Sequence, residues 1–191
     1  MKSLKYLSLL FISILTLTAC SSDEDPEIVN EEELITTVTA VYTPVGGGDV
    51  VTLQYKDLDG EGANAPVITV SGSFQTNTTY EGNVTFLNET TDPADNITLE
   101  ILEEGDEHQL FYLTTGSLNS VTYSDDSSDL DSNGFPIGLK SIFTTTGAAS
   151  GTLTIILRHE PNKDAANVSS GDITNAGGST DASVTFSIVV E

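Results

Sequence analysis

The sequence predicts an all-β fold, a single antiparallel β-sandwich, immunoglobulin-like or larger, and three observations lead to it. Short apolar or alternating runs recur from Leu34 to the C-terminus, separated by clusters of Gly, Asp, Asn and Ser. Thr, Ser, Gly, Asn and Asp are abundant, whereas long stretches rich in Ala, Leu, Glu and Lys are missing, so the composition favours strands and turns. No tandem repeat at a period of about 20 to 50 residues is visible, which argues against a solenoid or propeller.

Ten segments read as strands: 34–43, 50–56, 66–71, 79–88, 96–103, 108–115, 119–124, 139–146, 151–159 and 182–190. Alternation is clearest in 50–56, where Val51, Leu53 and Tyr55 share a face, and in 182–190, where Val184, Phe186, Ile188 and Val190 do. Segment 79–88 places Tyr80, Val84 and Phe86 together, 96–103 does the same with Ile97, Leu99 and Ile101, and 151–159 with Leu153, Ile155 and Leu157. Two facing sheets would share these side chains as their core.

The connections carry turn chemistry at Gly46-Gly47-Gly48, Asp59-Gly60-Glu61-Gly62 and Glu104-Gly105-Asp106. Two are longer, 125–138 and 160–181, and loops of such length in a compact domain are expected to be functional or mobile. If consecutive strands alternate in direction, the connections 44–49, 72–78, 104–107, 125–138 and 160–181 gather at one end. His108 and His159 are then expected there, opposite the N-terminal entry of the chain.

Residues 1–19 have the three parts of an export signal: Lys2 and Lys5, an apolar run from Tyr6 to Leu17, and small residues before Cys20. The run is shorter than the roughly 20 residues a membrane-crossing helix needs. Leu17-Thr18-Ala19-Cys20 resembles the lipobox of bacterial lipoproteins, which implies lipidation of Cys20 and cleavage before it. The acidic run from Ser21 to Glu27, with Glu31, Glu32 and Glu33, resembles the export tag of Bacteroidota lipoproteins, which implies the outer membrane and its outer surface. The expected organisation is a signal peptide (1–19), a lipidated acidic tether (20–33) and a β-sandwich domain (34–191).

Loss of residues 1–19 removes two lysines and no acid, so the formal charge moves from −23 to −25. Such a surface opposes nucleic acid and anionic lipid heads and favours cations and basic partners. With Cys20 the only cysteine, the sandwich is expected to be stable without a disulfide.

Candidate sites lie in the loops. His108 and His159 are the only histidines, and Glu104, Asp106 and Glu160 stand beside them; imidazole with carboxylate is a donor set for zinc or another transition metal. Asp129-Leu130-Asp131-Ser132-Asn133-Gly134 has the opening of a calcium loop, with Asp129, Asp131 and Asn133 as oxygen donors. Lys140 stands at the twelfth position where an EF-hand needs glutamate, so calcium there requires oxygens from another loop. Asp57 to Gly62 is a second acidic turn with fewer ligands in sequence. A G-x-S-x-G elbow, H-E-x-x-H, a P-loop, a dinucleotide fingerprint and a cysteine nucleophile outside the lipobox are all missing, so no enzyme activity is expected.

From the lipobox through Glu104-Gly105-Asp106-Glu107-His108-Gln109 and Arg158-His159-Glu160-Pro161-Asn162-Lys163 to Gly171-Asp172-Ile173-Thr174-Asn175, the chain resembles small flavobacterial lipoproteins of unassigned function. These are often catalogued as a type 1 periplasmic binding fold superfamily. That fold is a two-lobed α/β structure of about twice this length, which the strand pattern contradicts. The expected function is a lipid-anchored envelope binding module, an accessory presenting a ligand or divalent metal ion, calcium or a transition metal, to an outer-membrane transporter. The competing expectation is a structural or adhesive surface protein.

Overall fold

The computed structural model describes residues 33–60 and 62–191. The expected signal peptide, Cys20 and the expected tether up to residue 32 lie outside the described residues. Nine of the ten expected segments are strands: β1 Thr37–Pro44, β2 Val51–Lys56, β3 Val67–Val70, β4 Thr79–Leu87, β5 His108–Thr114, β6 Val121–Tyr123, β7 Lys140–Thr144, β8 Ala149–His159 and β9 Ser179–Val190. They form two antiparallel sheets, a six-stranded one in the order β3-β2-β1-β4-β7-β6 and a three-stranded one in the order β5-β8-β9. This is the larger of the two expected sandwiches, and its strands lack the β-α alternation of a two-lobed periplasmic binding fold.

The alternating rows meet as expected. Val38, Ala40, Leu53, Val84 and Phe86 of the large sheet pack against Leu153, Ile155, Leu157, Val184, Phe186 and Ile188 of the small one. At one end of the core Phe74 stands edge-on to three rings, with centroids 5.4 Å from Tyr42, 4.9 Å from Tyr80 and 5.1 Å from Phe143. Its backbone also bridges to β9, since Phe74 N–H donates to Val189 O and Glu191 N–H donates to Phe74 O. Phe74 therefore ties the six-stranded sheet's connection to the edge of the three-stranded sheet.

The fifth expected strand, 96–103, is instead a helix, α1, over Ile97–Glu103. The run Ile-Thr-Leu-Glu-Ile-Leu-Glu fits both periods. In the helix Ile97 and Ile101, four residues apart, share the buried face, and Leu99 is left 56% exposed. Thr98 holds the helix to the sheet: the Phe86 N–H donates to its hydroxyl at 2.8 Å, and the hydroxyl donates back to Phe86 O at 3.1 Å. The helix thus occupies the edge of β4 beyond the reach of β7.

This replacement overturns the expected grouping of loops, because a helix in place of a strand shifts the direction of every later strand by one. β4 ends beside the start of β1, with Leu87 opposite Thr37, and β5 sets out from that same end. Loops 44–49 and 72–78 lie at the other end, where Pro44 pairs with Tyr80 and Asn77 N–H donates to Thr146 O. His108 and His159 are together as expected, but at the end where the chain enters β1.

The long connection after β8 is a packed cover. Two 3-10 turns, Val168–Ser170 and Ile173–Asn175, fold over the outer face of the three-stranded sheet. Val168 and Ala176 bury Phe111 there, with Ile156, Ala165 and Ile173 around them. Covered on both faces, β5 is buried from His108 through Tyr112.

Phe74→Ala is expected to lower unfolding free energy by about 3 to 5 kcal/mol, since it empties a packed aromatic site. Val67→Thr, at a position 61% exposed, is expected to change it by less than about 0.5 kcal/mol. Urea unfolding of the two variants checks both values.

Candidate metal centre

β5 opens on His108 and β8 closes on His159, and the antiparallel register sets the two directly opposite one another. Their ring centroids are 4.7 Å apart. His159 extends the inward row Leu153, Ile155, Leu157 of β8, so its imidazole enters the end of the core and its side chain is only 4% exposed. The His108 side chain is fully buried.

Asp181 reaches the same place through a break in strand geometry. Along β9 Ala182 lies opposite Leu157 but Thr180 lies opposite Arg158, so Asp181 is the extra residue of a β-bulge. Bulges re-aim side chains next to functional sites. By simple alternation with Val184 and Phe186, Asp181 would face outward; here its side chain is fully buried. Arg158 fixes the approach: its guanidinium donates to Gly178 O at 2.6 Å and to Thr180 Oγ1 at 2.5 Å. Gly178, at φ +66°, is required by this crossing, because a Cβ there would fall 2.0 Å from His159 O.

Glu33 arrives from the segment ahead of β1, with its side chain 8% exposed. Its Oε1 is 3.1 Å from His108 Nε2 and its Oε2 is 3.8 Å from His159 Nδ1. His159 Nδ1 is 3.8 Å from Asp181 Oδ1. Donor atoms of Glu33, His108, His159 and Asp181 all lie within 4.8 Å of one another, and this buried cluster could hold a metal ion. Separations of 3.8 Å are too long for hydrogen bonds. They approach the roughly 3.3 Å that separates donors around a tetrahedral ion with bonds of about 2.0 to 2.1 Å. Among the described residues Glu33 Oε2 and His159 Nδ1 have no hydrogen-bond partner, although both are buried.

The tautomer of His108 follows from its other nitrogen, since Nδ1 lies 3.1 Å from Glu104 O. A carbonyl oxygen only accepts, so Nδ1 carries the hydrogen and donates it. Nε2 then turns a lone pair toward a carboxylate oxygen 3.1 Å away. Two lone pairs at that distance repel unless a second proton or a metal cation stands between them. A backbone carbonyl fixing the non-ligating nitrogen is also the usual support of a metal-bound histidine.

The structure sorts the residues expected from sequence. It brings His108 and His159 together. Glu104 contributes its backbone carbonyl, so its expected role as a carboxylate ligand is corrected to one of orientation. Asp106 is corrected too: its carboxylate accepts from the Ser132 N–H at 3.0 Å and from the Ser132 hydroxyl, and it braces loop 125–138. Glu160 stands with Glu107 on the solvent side of His159, in a second cluster. Glu33, assigned to the tether by sequence, and Asp181, assigned to a loop, complete the inner cluster instead.

The expected calcium loop does not converge its oxygens. Asp129 is buried, and its carboxylate accepts the Leu139 and Lys140 N–H groups at 2.8 and 3.0 Å; burial nonetheless holds the carboxyl above its usual range. Asp131 accepts the Asn133 and Phe135 N–H groups through Oδ1, at 2.9 and 2.8 Å, and the Lys163 ammonium through Oδ2 at 2.9 Å. Asn133 is exposed and serves the turn with its N–H. Lys163 also donates to Gly105 O at 2.6 Å and Pro136 O at 3.3 Å. An ammonium thus occupies the centre where calcium was expected, and the loop is braced internally. Burial pushes Lys163 below the usual lysine range, and Asp131 opposes that shift.

Comparison with protein-family models, curated proteins and solved structures finds no match. Fold and site alone define the class: a β-sandwich whose open end buries a cluster of two histidines and two carboxylates suited to a metal ion.

Lys163→Ala is expected to destabilise the protein by about 3 to 5 kcal/mol, because it strips a buried carboxylate and two carbonyls of their donor. Calorimetric unfolding checks this. A loss below about 1 kcal/mol would show that water replaces the ammonium at little cost.

Proposed function

We propose that this protein is a lipid-anchored binding module of the cell envelope that holds a divalent transition-metal ion between Glu33, His108, His159 and Asp181. One observation carries the reading: with Nδ1 of the fully buried His108 donating to Glu104 O, its Nε2 faces a Glu33 carboxylate oxygen at 3.1 Å, an arrangement that needs a proton or a metal cation between the two. The mixed nitrogen and oxygen donors suit zinc, copper, nickel or iron better than calcium, which prefers oxygen alone. The burial of all four side chains favours retaining an ion over turning over a substrate, for which a catalytic metal keeps an open position.

The anchor adds a length scale. With the lipid on Cys20, thirteen residues lead to Glu33. Fully extended they reach at most about 45 Å. The metal end of the sandwich would therefore stay near the outer-membrane surface, within reach of a transporter to which the ion is presented. The strongly acidic surface is consistent with a cationic cargo and speaks against nucleic acid.

Chelator-treated protein is expected to gain about 2.7 kcal/mol of unfolding free energy when a transition metal such as zinc is present at a hundred times its dissociation constant. His108→Ala and His159→Ala should lose this gain. No stabilisation by zinc, copper, nickel or iron would remove the metal reading and favour the structural or adhesive one. Independently, labelled fatty acid should enter the wild-type protein and not Cys20→Ser.

A further inference from the structure

His159 presents ligands on both sides. Its Nδ1 belongs to the inner cluster with Glu33 and Asp181, while its Nε2 points the other way, 3.7 Å from Glu107 Oε2. Glu107, His159 and Glu160 form a second group of donors within 4.8 Å of one another. The backbone holds the two glutamates together, since Glu160 N–H donates to Glu107 O at 2.7 Å. Glu160 takes a left-handed conformation at φ 49°, directly after the last residue of β8.

The outer group differs from an ordinary acidic rim. Its central member is 96% buried in its side chain, and among the described residues the Nδ1 of that ring has no hydrogen-bond partner. At 3.7 Å the Nε2 to Glu107 separation is again too long for a hydrogen bond and close to a ligand-to-ligand spacing.

We propose that His159 bridges two metal sites: the inner one, on whose reading this inference rests, and an outer one made by its Nε2 with Glu107 and Glu160. The outer site takes a second divalent transition-metal ion. Glu107 is 57% exposed and Glu160 is exposed, so this site faces solvent and gives the closed inner site its access route. When both ring nitrogens bind metal, the single N–H proton of neutral His159 leaves to solvent. The ring then joins the two ions as an imidazolate.

Copper(II) titration of the purified, chelator-treated protein tests this, read by bound equivalents and by electron paramagnetic resonance. Two equivalents per chain are expected, with an integrated signal well below two spins because the imidazolate couples the ions. E107Q/E160Q changes only exposed side chains, and it should bind one equivalent with a full one-spin signal. One uncoupled equivalent in the wild type, unchanged by E107Q/E160Q, would overturn the outer site and leave the inner one standing. Two equivalents with uncoupled spins would overturn the bridge. No bound copper would overturn the inner site and this inference together.

Discussion

The antiparallel register of β5 with β8 is the constraint on which the site depends. It places His108 opposite His159 at the mouth of the sandwich and turns His159 into the row occupied higher up by Leu157, Ile155 and Leu153. A polar ring at the end of an apolar row is costly unless its nitrogens are served. The protein brings carboxylates to the rings from two further directions, Glu33 ahead of β1 and Asp181 on the bulge of β9. Four separate pieces of chain converge on one small volume. Removing one charge of a buried set generally costs more than the set contributes as a whole, so the proposed cation would set the balance of the group.

The surrounding parts read as support for that convergence. The cover formed by residues 160–178 packs Val168 and Ala176 on Phe111 and holds β5 from outside. Gln109, one residue after His108, is buried and donates to Val168 O and to the Tyr123 hydroxyl, each at 2.8 Å. Lys163 joins the cover to Gly105 and Asp131, and Asp131 in turn orders the loop ahead of β7. The helix α1 and the turn after it bring the Glu104 carbonyl to His108 Nδ1. Segments with little regular structure are thereby fixed by buried polar groups that are largely satisfied, which is the condition for a polar network to rigidify its surroundings.

Much of the fold was legible because strand alternation is a local signal. Val51, Leu53 and Tyr55, or Val184 to Val190, declare a face without reference to the rest of the chain. Residues 96–103 were not legible, because Ile97 and Ile101 satisfy a period of two and a spacing of four equally well. Their environment decides, through Thr98 bonded to the exposed edge of β4. That one element also reversed which end the histidines occupy.

The site was half legible. Two lone histidines beside acids can be picked out in any sequence, and their pairing follows once β5 and β8 are neighbours. Asp181 was hidden because a bulge breaks the alternation by which strands are recognised. Glu33 was hidden because an acidic run looks like solvated tether up to its last member. Asp129 and Asp131 misled for a physical reason as well: carboxylates spaced to wrap calcium are equally well spaced to accept the N–H groups of a tight turn, and Lys163, distant in sequence, supplies the positive charge.

Whether the inner cluster holds a metal ion is decided by a crystal structure of zinc-loaded protein with anomalous scattering at the zinc edge. An anomalous peak is expected within about 2.0 to 2.2 Å of His108 Nε2, His159 Nδ1 and oxygens of Glu33 and Asp181. A peak elsewhere, or none, with His108 Nε2 donating a hydrogen bond straight to Glu33, would contradict the metal reading.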